Sequence, residues 1–262
     1  MPTDNTRPFR IAAVGDLHYA GAESRGALAE MFATVNRDAD VFALLGDLTT
    51  HGRFEQMEAL VEELAAVDVP MVGVLGNHDY ELGDPIATTQ LLTDAGVRIL
   101  DGDHIVIEGV GFAGTKGFAG GFGRGALAPF GEPLIKDFVQ HAIDEALKLE
   151  NALRSLDTPV KIALLHYAPC VETVLGEPEI IYPFLGSSRL MQPIEALGVD
   201  VVFHGHAHHG TREAVTPAGV TVCNVALPLL REAGEWVRIW EVDMPDRRGG
   251  EHELSHGSRE TG

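Results

Sequence analysis

The sequence predicts an α/β protein built on parallel strands joined by crossover helices. Short apolar runs of buried-strand length recur along the chain, and segments with apolar residues at helical spacing lie between them. Several of these runs stop at a small cluster of polar residues, as strands do when they deliver side chains to the carboxyl edge of an open sheet. The 262 residues are 45% hydrophobic and 22% charged, enough for a sizeable core, without an apolar run of the ~20 residues a membrane span needs.

Taken in order, residues 10–15 form the first strand, ending in Asp16-Leu17-His18. Residues 24–37 carry Leu28, Met31, Phe32 and Val35 on one helical face. A second strand over 40–45 stops at Gly46-Asp47, and 54–67 is helical again through Met57, Leu60, Val61 and Leu64. The third strand, 69–75, ends in Gly76-Asn77-His78-Asp79. Residues 86–95 read as a helix, 97–100 and 104–108 as short strands, and 132–156 as a long helix broken by Thr158-Pro159. A strand over 160–165 delivers His166; 187–197 is a helix disturbed by Pro193; 199–203 is a strand delivering His204 through His209. Residues 220–225 and 236–242 close the sheet region as antiparallel pairs. Residues 109–125 hold eight glycines and read as a loop, and 245–262 as a flexible tail behind a single domain over 1–244.

Nineteen Lys and Arg against thirty-nine Asp and Glu leave a net charge of −20, with only −1 of it in the tail. A broad basic face for nucleic acid is therefore not expected. Cys170 and Cys223 lie far apart with no C-x-x-C spacing, so both read as reduced thiols. The polar N-terminus lacks a signal-peptide core, which suits the cytoplasm.

The chemistry gathers at the strand ends, which carry Asp16 and His18, Asp47, Asn77 and His78, His166, and His206 and His208. These blocks resemble the calcineurin-like metallophosphoesterases, whose pattern runs Asp-x-His, Gly-Asp, Gly-Asn-His-Asp/Glu, a lone His, then Gly-His-x-His. All five are present in order over residues 16–208. The resemblance implies a four-layer αββα sandwich of two mixed sheets flanked by helices. It also implies a binuclear site hydrolysing phosphomonoester or phosphodiester bonds by attack of a metal-bridging hydroxide. Asp16, His18 and His208 are then ligands of one metal, and Asn77, His166 and His206 of the other, with Asp47 bridging. His78 matches the family's non-ligand histidine, which assists the leaving group. Mixed imidazole and carboxylate ligation suits Mn, Fe, Zn, Co or Ni better than Ca or Mg. Two such ions against two carboxylates leave about +2 locally, which draws in a small phosphoester despite the acidic surface. The family's acidic residue three positions after the bridging Asp is Thr50 here, and Asp79 is available to take its place.

Gly109-Val-Gly111-Phe-Ala-Gly114 fits a dinucleotide fingerprint, but no helix opens at Gly114. Within the same segment Lys116 and Arg124 can meet a phosphate, and Phe118 or Phe122 can stack on a substrate group. Arg189 is a further candidate, because guanidinium matches phosphate bidentately; a structural salt bridge explains it equally well. Two other readings compete: a family nuclease acting on DNA, and a non-catalytic scaffold that keeps the fold. The first calls for a basic cleft or extra domains, the second for lost ligands, and this sequence has none of these.

Overall fold

A computed structural model describes residues 7–244. Its first sheet follows the strand–helix alternation of the sequence. β1 (Phe9–Val14), β2 (Val41–Leu45), β3 (Met71–Val74) and β4 (Val97–Ile99) are parallel, linked by α1 (Ala29–Asp38), α2 (Phe54–Leu64) and α3 (Pro85–Asp94). The second sheet contains β5 (Asp103–Ile107), β6 (Val110–Gly114), β7 (Val160–Leu164), β8 (Val201–His204), β9 (Glu213–Val215) and β10 (Thr221–Asn224). Its order is β5-β6-β7-β8-β10-β9, parallel in the middle and antiparallel at both edges. α4 (Pro133–Arg154), α5 (Tyr182–Leu185), α6 (Met191–Ala196) and α7 (Leu227–Glu232) complete the helices. β11 (Arg238–Val242) returns to the first sheet, antiparallel to β1, and gives it the order β11-β1-β2-β3-β4.

Side-chain alternation along the strands makes the layers. In the second sheet Phe112, Ile162 and Phe203 join the core shared with the first sheet. Their neighbours Ala113, Ala163 and Val202 pack outward with Leu149 and Leu153 of α4 and Ile194 of α6. Met31, Phe32 and Val35 of α1 and Met57, Leu60 and Leu64 of α2 are buried in the main core together with the first sheet. Helices, sheet, sheet and helices follow one another, which is the four-layer sandwich that the resemblance implied.

Several elements differ from the sequence reading. Residues 109–125 are not one loop: 110–114 is β6, buried throughout and paired on both sides. A Cβ on Gly111 would stand 2.3 Å from Thr158 Oγ1, so glycine is needed there because the strand runs beneath the connection from α4 to β7. β10 is parallel to β8, and only β9, absent from the sequence reading, lies antiparallel to it. α1 begins at Ala29 after a 3₁₀ turn over Ala22–Ser24, and α6 is confined to Met191–Ala196. α5 and α7 were not anticipated; Pro183 and Pro228 open their first turns, where a missing N–H costs nothing. The tail expected over 245–262 lies outside the described residues.

The inter-sheet core makes a direct test. Phe203 is fully buried, so Phe203→Ala should lower unfolding free energy in urea by about 3–5 kcal/mol. Val106→Ala, on an exposed face of β5, should change it by less than ~0.5 kcal/mol.

Candidate metal centre

The functional side chains leave the carboxyl ends of β1, β2, β3, β7 and β8, where the two sheets meet. The chain turns sharply there. Asp16, His18, Asp47 and His206 all hold positive φ, between 44° and 70°, which residues with side chains adopt only at a cost. Close packing fixes those turns. A Cβ on Gly76 would fall 2.1 Å from both the backbone N and Oδ1 of Asp47, so the β3 turn lies flat against that aspartate. Asp47 Oδ1 in turn accepts the His78 N–H at 2.8 Å, and Asp16 Oδ2 accepts that of His206 at 2.8 Å.

Two groups of donors result. Asp16, His18 and His208 offer ligand atoms all within 4.8 Å of one another, and so do Asp47, His166 and His206. Asp47 lies between them, since it also groups with His18 and His78. The tautomers can be read from the hydrogen bonds. His166 Nδ1 donates to the Leu45 carbonyl at 2.8 Å, which leaves Nε2 facing the seam. That atom meets Asn77 Oδ1 at 2.9 Å and Asp47 Oδ1 at 3.4 Å. His18 Nε2 and His208 Nε2 face each other at 3.5 Å, with Asp16 Oδ1 3.1 Å from His208. Buried electron pairs aimed at one another repel unless a proton or cation lies among them. The donor set therefore fits metal ions held by mixed oxygen and nitrogen ligands.

The titration behaviour has the same origin. Burial lifts Asp47 and Asp16, yet the surrounding histidines outweigh it and hold both below the usual carboxylate range. Burial pulls His166 down, but the Asp47 charge prevails and raises it to about 9. Burial, reinforced by the His166 charge, takes His206 down to about 4, so it is a neutral donor. Asp79 does not support His78, the role for which it was available. Its buried carboxylate accepts the N–H groups of Gly76 at 2.9 Å, Leu48 at 3.1 Å and Thr49 at 3.2 Å, and so ties the β2 and β3 turns together. Burial and the Asp47 charge push it up to about 6.

His78 takes its support elsewhere. Its Nδ1 donates to the Thr50 carbonyl at 2.6 Å, and Glu81 Oε2 stands 3.5 Å away. Its ring packs edge-on to His18, and Nε2 lies 3.9 Å from Asp47 Oδ2. Neither Glu81 nor a main-chain carbonyl has a motif signature, so both escaped the sequence reading; the only signal was the i+3 spacing of Glu81 in the 3₁₀ turn after Asn77.

The expected substrate contacts scatter. Lys116 lies in a cage of Tyr80, Phe118 and Tyr167, and the Tyr167 ring is 4.4 Å from that of His206. Phe122 packs against a small apolar cluster that includes Ala168 and Leu185. Arg124 is exposed in a 3₁₀ turn. Arg189 donates to the Leu127 carbonyl at 3.0 Å and lines a small cleft beside α4 with Ile143 and Leu147. Cys170 is buried against Thr173 with its thiol pushed up by burial, which leaves it protonated. His204 is fully buried, and its two ring nitrogens are taken up by Thr173 Oγ1 and the Gly205 carbonyl, both at 2.8 Å.

Comparison with known proteins gives this geometry a setting. The family model for calcineurin-like phosphoesterases matches residues 9–210. A Moraxella catarrhalis protein named "Probable cyclic nucleotide phosphodiesterase" is 31% identical over 90 residues, 32% of this chain and 32% of that protein. The match thus spans about a third of that relative's length. Among solved structures, the phosphopantetheinyl hydrolase of Mycobacterium tuberculosis superposes with a TM-score of 0.65 at 12% identity, covering 94% of this chain and 99% of that one. GAP50, the inner-membrane-complex anchor of Plasmodium, superposes at 0.51 and 13% identity over 85% and 72%. At such identities the structural likeness concerns the fold.

Asp79→Asn should cost about 1–3 kcal/mol, because an amide NH₂ then meets buried N–H donors. A fall in the thermal midpoint of several degrees, read by circular dichroism, checks this. Gly76→Ala should cut metal uptake sharply, read by elemental analysis, because its Cβ cannot coexist with the Asp47 carboxylate.

Proposed function

The chain belongs to the calcineurin-like phosphoesterase family, and from that premise we propose that it hydrolyses small phosphoesters with two divalent transition-metal ions. The observation that carries this reading is the convergence of two Asp–His–His groups on one seam between the sheets. Asp16, His18 and His208 would hold one ion, Asn77, His166 and His206 the other, and Asp47 would be shared by both. When bound, such a pair supplies Lewis acidity toward phosphoryl oxygens and lowers the pKa of water. Manganese, iron, zinc, cobalt and nickel all suit the donor types.

The residues of this chain do the remaining work. The Thr50 carbonyl fixes the His78 Nδ1 proton, which leaves Nε2 toward the seam to carry a second proton to the departing oxygen. Glu81 Oε2 stands 3.5 Å from the same Nδ1 and accepts from His51 Nδ1 at 3.1 Å. The Tyr167 ring covers His166 and His206 and keeps bulk water from that side. The family match and the named relative favour a small phosphoester, and the relative's name points to a diester.

Elemental analysis of manganese-loaded protein should give close to two equivalents, with turnover of p-nitrophenyl phosphate or its bis-ester. His78→Ala should keep the metal and slow turnover by roughly 10²–10⁴. Asp47→Asn should lose metal and turnover together. Folded protein that takes up no metal, or a His78→Ala variant as metal-poor as Asp47→Asn, would contradict these roles.

A further inference from the structure

A second feature adjoins the centre. A cleft of about 470 Å³ opens between α3, β4 and the turn after β3. Leu75, Tyr80, Ile86 and Ile99 give it apolar walls, Thr89 lines it from α3, Lys116 closes its inner end, and Asp101, paired with Lys148, also lines it. Leu75 and Tyr80 bracket the turn that carries Asn77 and His78. The Lys116 carbonyl accepts the N–H groups of His166 at 3.0 Å and Tyr167 at 3.1 Å, so cleft and centre share one wall.

Among the described residues no carboxylate forms an ion pair with the buried ammonium of Lys116. Its Nζ lies 5.5, 5.1 and 5.2 Å from the ring centroids of Tyr80, Phe118 and Tyr167. It donates only to the Gly117 carbonyl among the described hydrogen bonds, which leaves two of its three N–H groups to offer. The nearby carboxylates are committed, since Lys148 binds both Asp101 and Glu145 at 2.8 Å. At the mouth, Ile86 is 80% exposed, an apolar side chain left in water. A free cation at the inner end and apolar walls outward suit a ligand with an anionic head and an apolar body.

We propose that Lys116 and this cleft form the subsite for the ester's organic group, with the ammonium on a phosphoryl oxygen and an apolar or aromatic substituent against Tyr80, Ile86 and Ile99. The proposal rests on the phosphoesterase reading and adds a substrate class to it: esters of bulky apolar or aromatic alcohols over those of small polar ones.

Calorimetric titration of the manganese-loaded protein with phenylphosphonate and methylphosphonate tests it without turnover. The phenyl compound should bind about 10- to 100-fold more tightly, the worth of burying a ring-sized apolar group. Thr89→Trp, which fills the cleft, and Ile86→Asp, at the exposed mouth where folding is not at risk, should each bring that ratio to within about threefold of one. Lys116→Met should weaken both phosphonates by about tenfold or more. Equal affinities in the native protein, or a ratio that neither cleft variant moves, would overturn the subsite. Turnover of p-nitrophenyl phosphate on the same samples separates the two claims. Hydrolysis with equal affinities keeps the phosphoesterase and removes the subsite; selective binding without hydrolysis does the reverse.

Discussion

Two buried carboxylates of like charge, Asp16 and Asp47, meet at the seam between the sheets, and each turn around them serves to hold them there. Asp47 opposes the ionisation of Asp16, so the pair is unfavourable without positive charge between or beside it. The backbone concedes as well: four residues at the seam occupy the left-handed region, at roughly 1–3 kcal/mol each. Such strain persists because the neighbours over-determine it. The sheets are stitched at this level by Gly15 N–H to the Val225 carbonyl at 2.9 Å, His166 Nδ1–H to the Leu45 carbonyl at 2.8 Å and His206 N–H to Asp16 Oδ2 at 2.8 Å. A sandwich with a fully apolar seam would carry none of these costs. Their presence marks the seam as the part of the fold suited to hold a cation.

The same constraint explains the roles of individual histidines. A ligand needs a lone pair, and a neutral imidazole has one only if its other nitrogen is occupied. His166 gives its Nδ1 proton to Leu45, and His206 gives its Nε2 proton to the Phe184 carbonyl at 3.2 Å. His78 also gives a proton away, to Thr50, but it sits one residue beyond Asn77 on a 3₁₀ turn and reaches the seam from the side. In the proposed mechanism the difference between holding charge and moving a proton thus comes from where each ring stands relative to Asp47, since the residue type is the same.

Much of this was legible in the sequence because it is local. Strand ends announce themselves as apolar runs that stop, so Asp16, Asp47, Asn77, His166 and His206 were placed at one edge without any tertiary information. β6 was illegible for the opposite reason: its Gly111 answers to Thr158 and Leu156, which are close only once α4 has folded back. The antiparallel reading of residues 220–225 failed likewise, since the partner of β10 depends on β8 arriving beside it. Asp79 shows the limit most sharply. A carboxylate next to a histidine in sequence invites pairing with it, but the three N–H groups of two turns compete for the same oxygens and win.

Net charge sets the last condition on the site. A chain of −20 repels phosphate at long range, while screening confines that repulsion to about 8–10 Å at physiological salt. An anionic substrate therefore has to be recognised at short range, by positive charge that faces low-dielectric walls. The seam has room for such charge in its donor groups. The wall beside it carries Lys116, kept free because Lys148 takes up Asp101 and Glu145. Those ion pairs matter less for stability than for what they prevent: either carboxylate, released, would neutralise the one buried ammonium next to the seam. On this view the Asp101–Lys148–Glu145 bridge is what leaves an otherwise acidic protein a cationic wall beside its candidate metal centre.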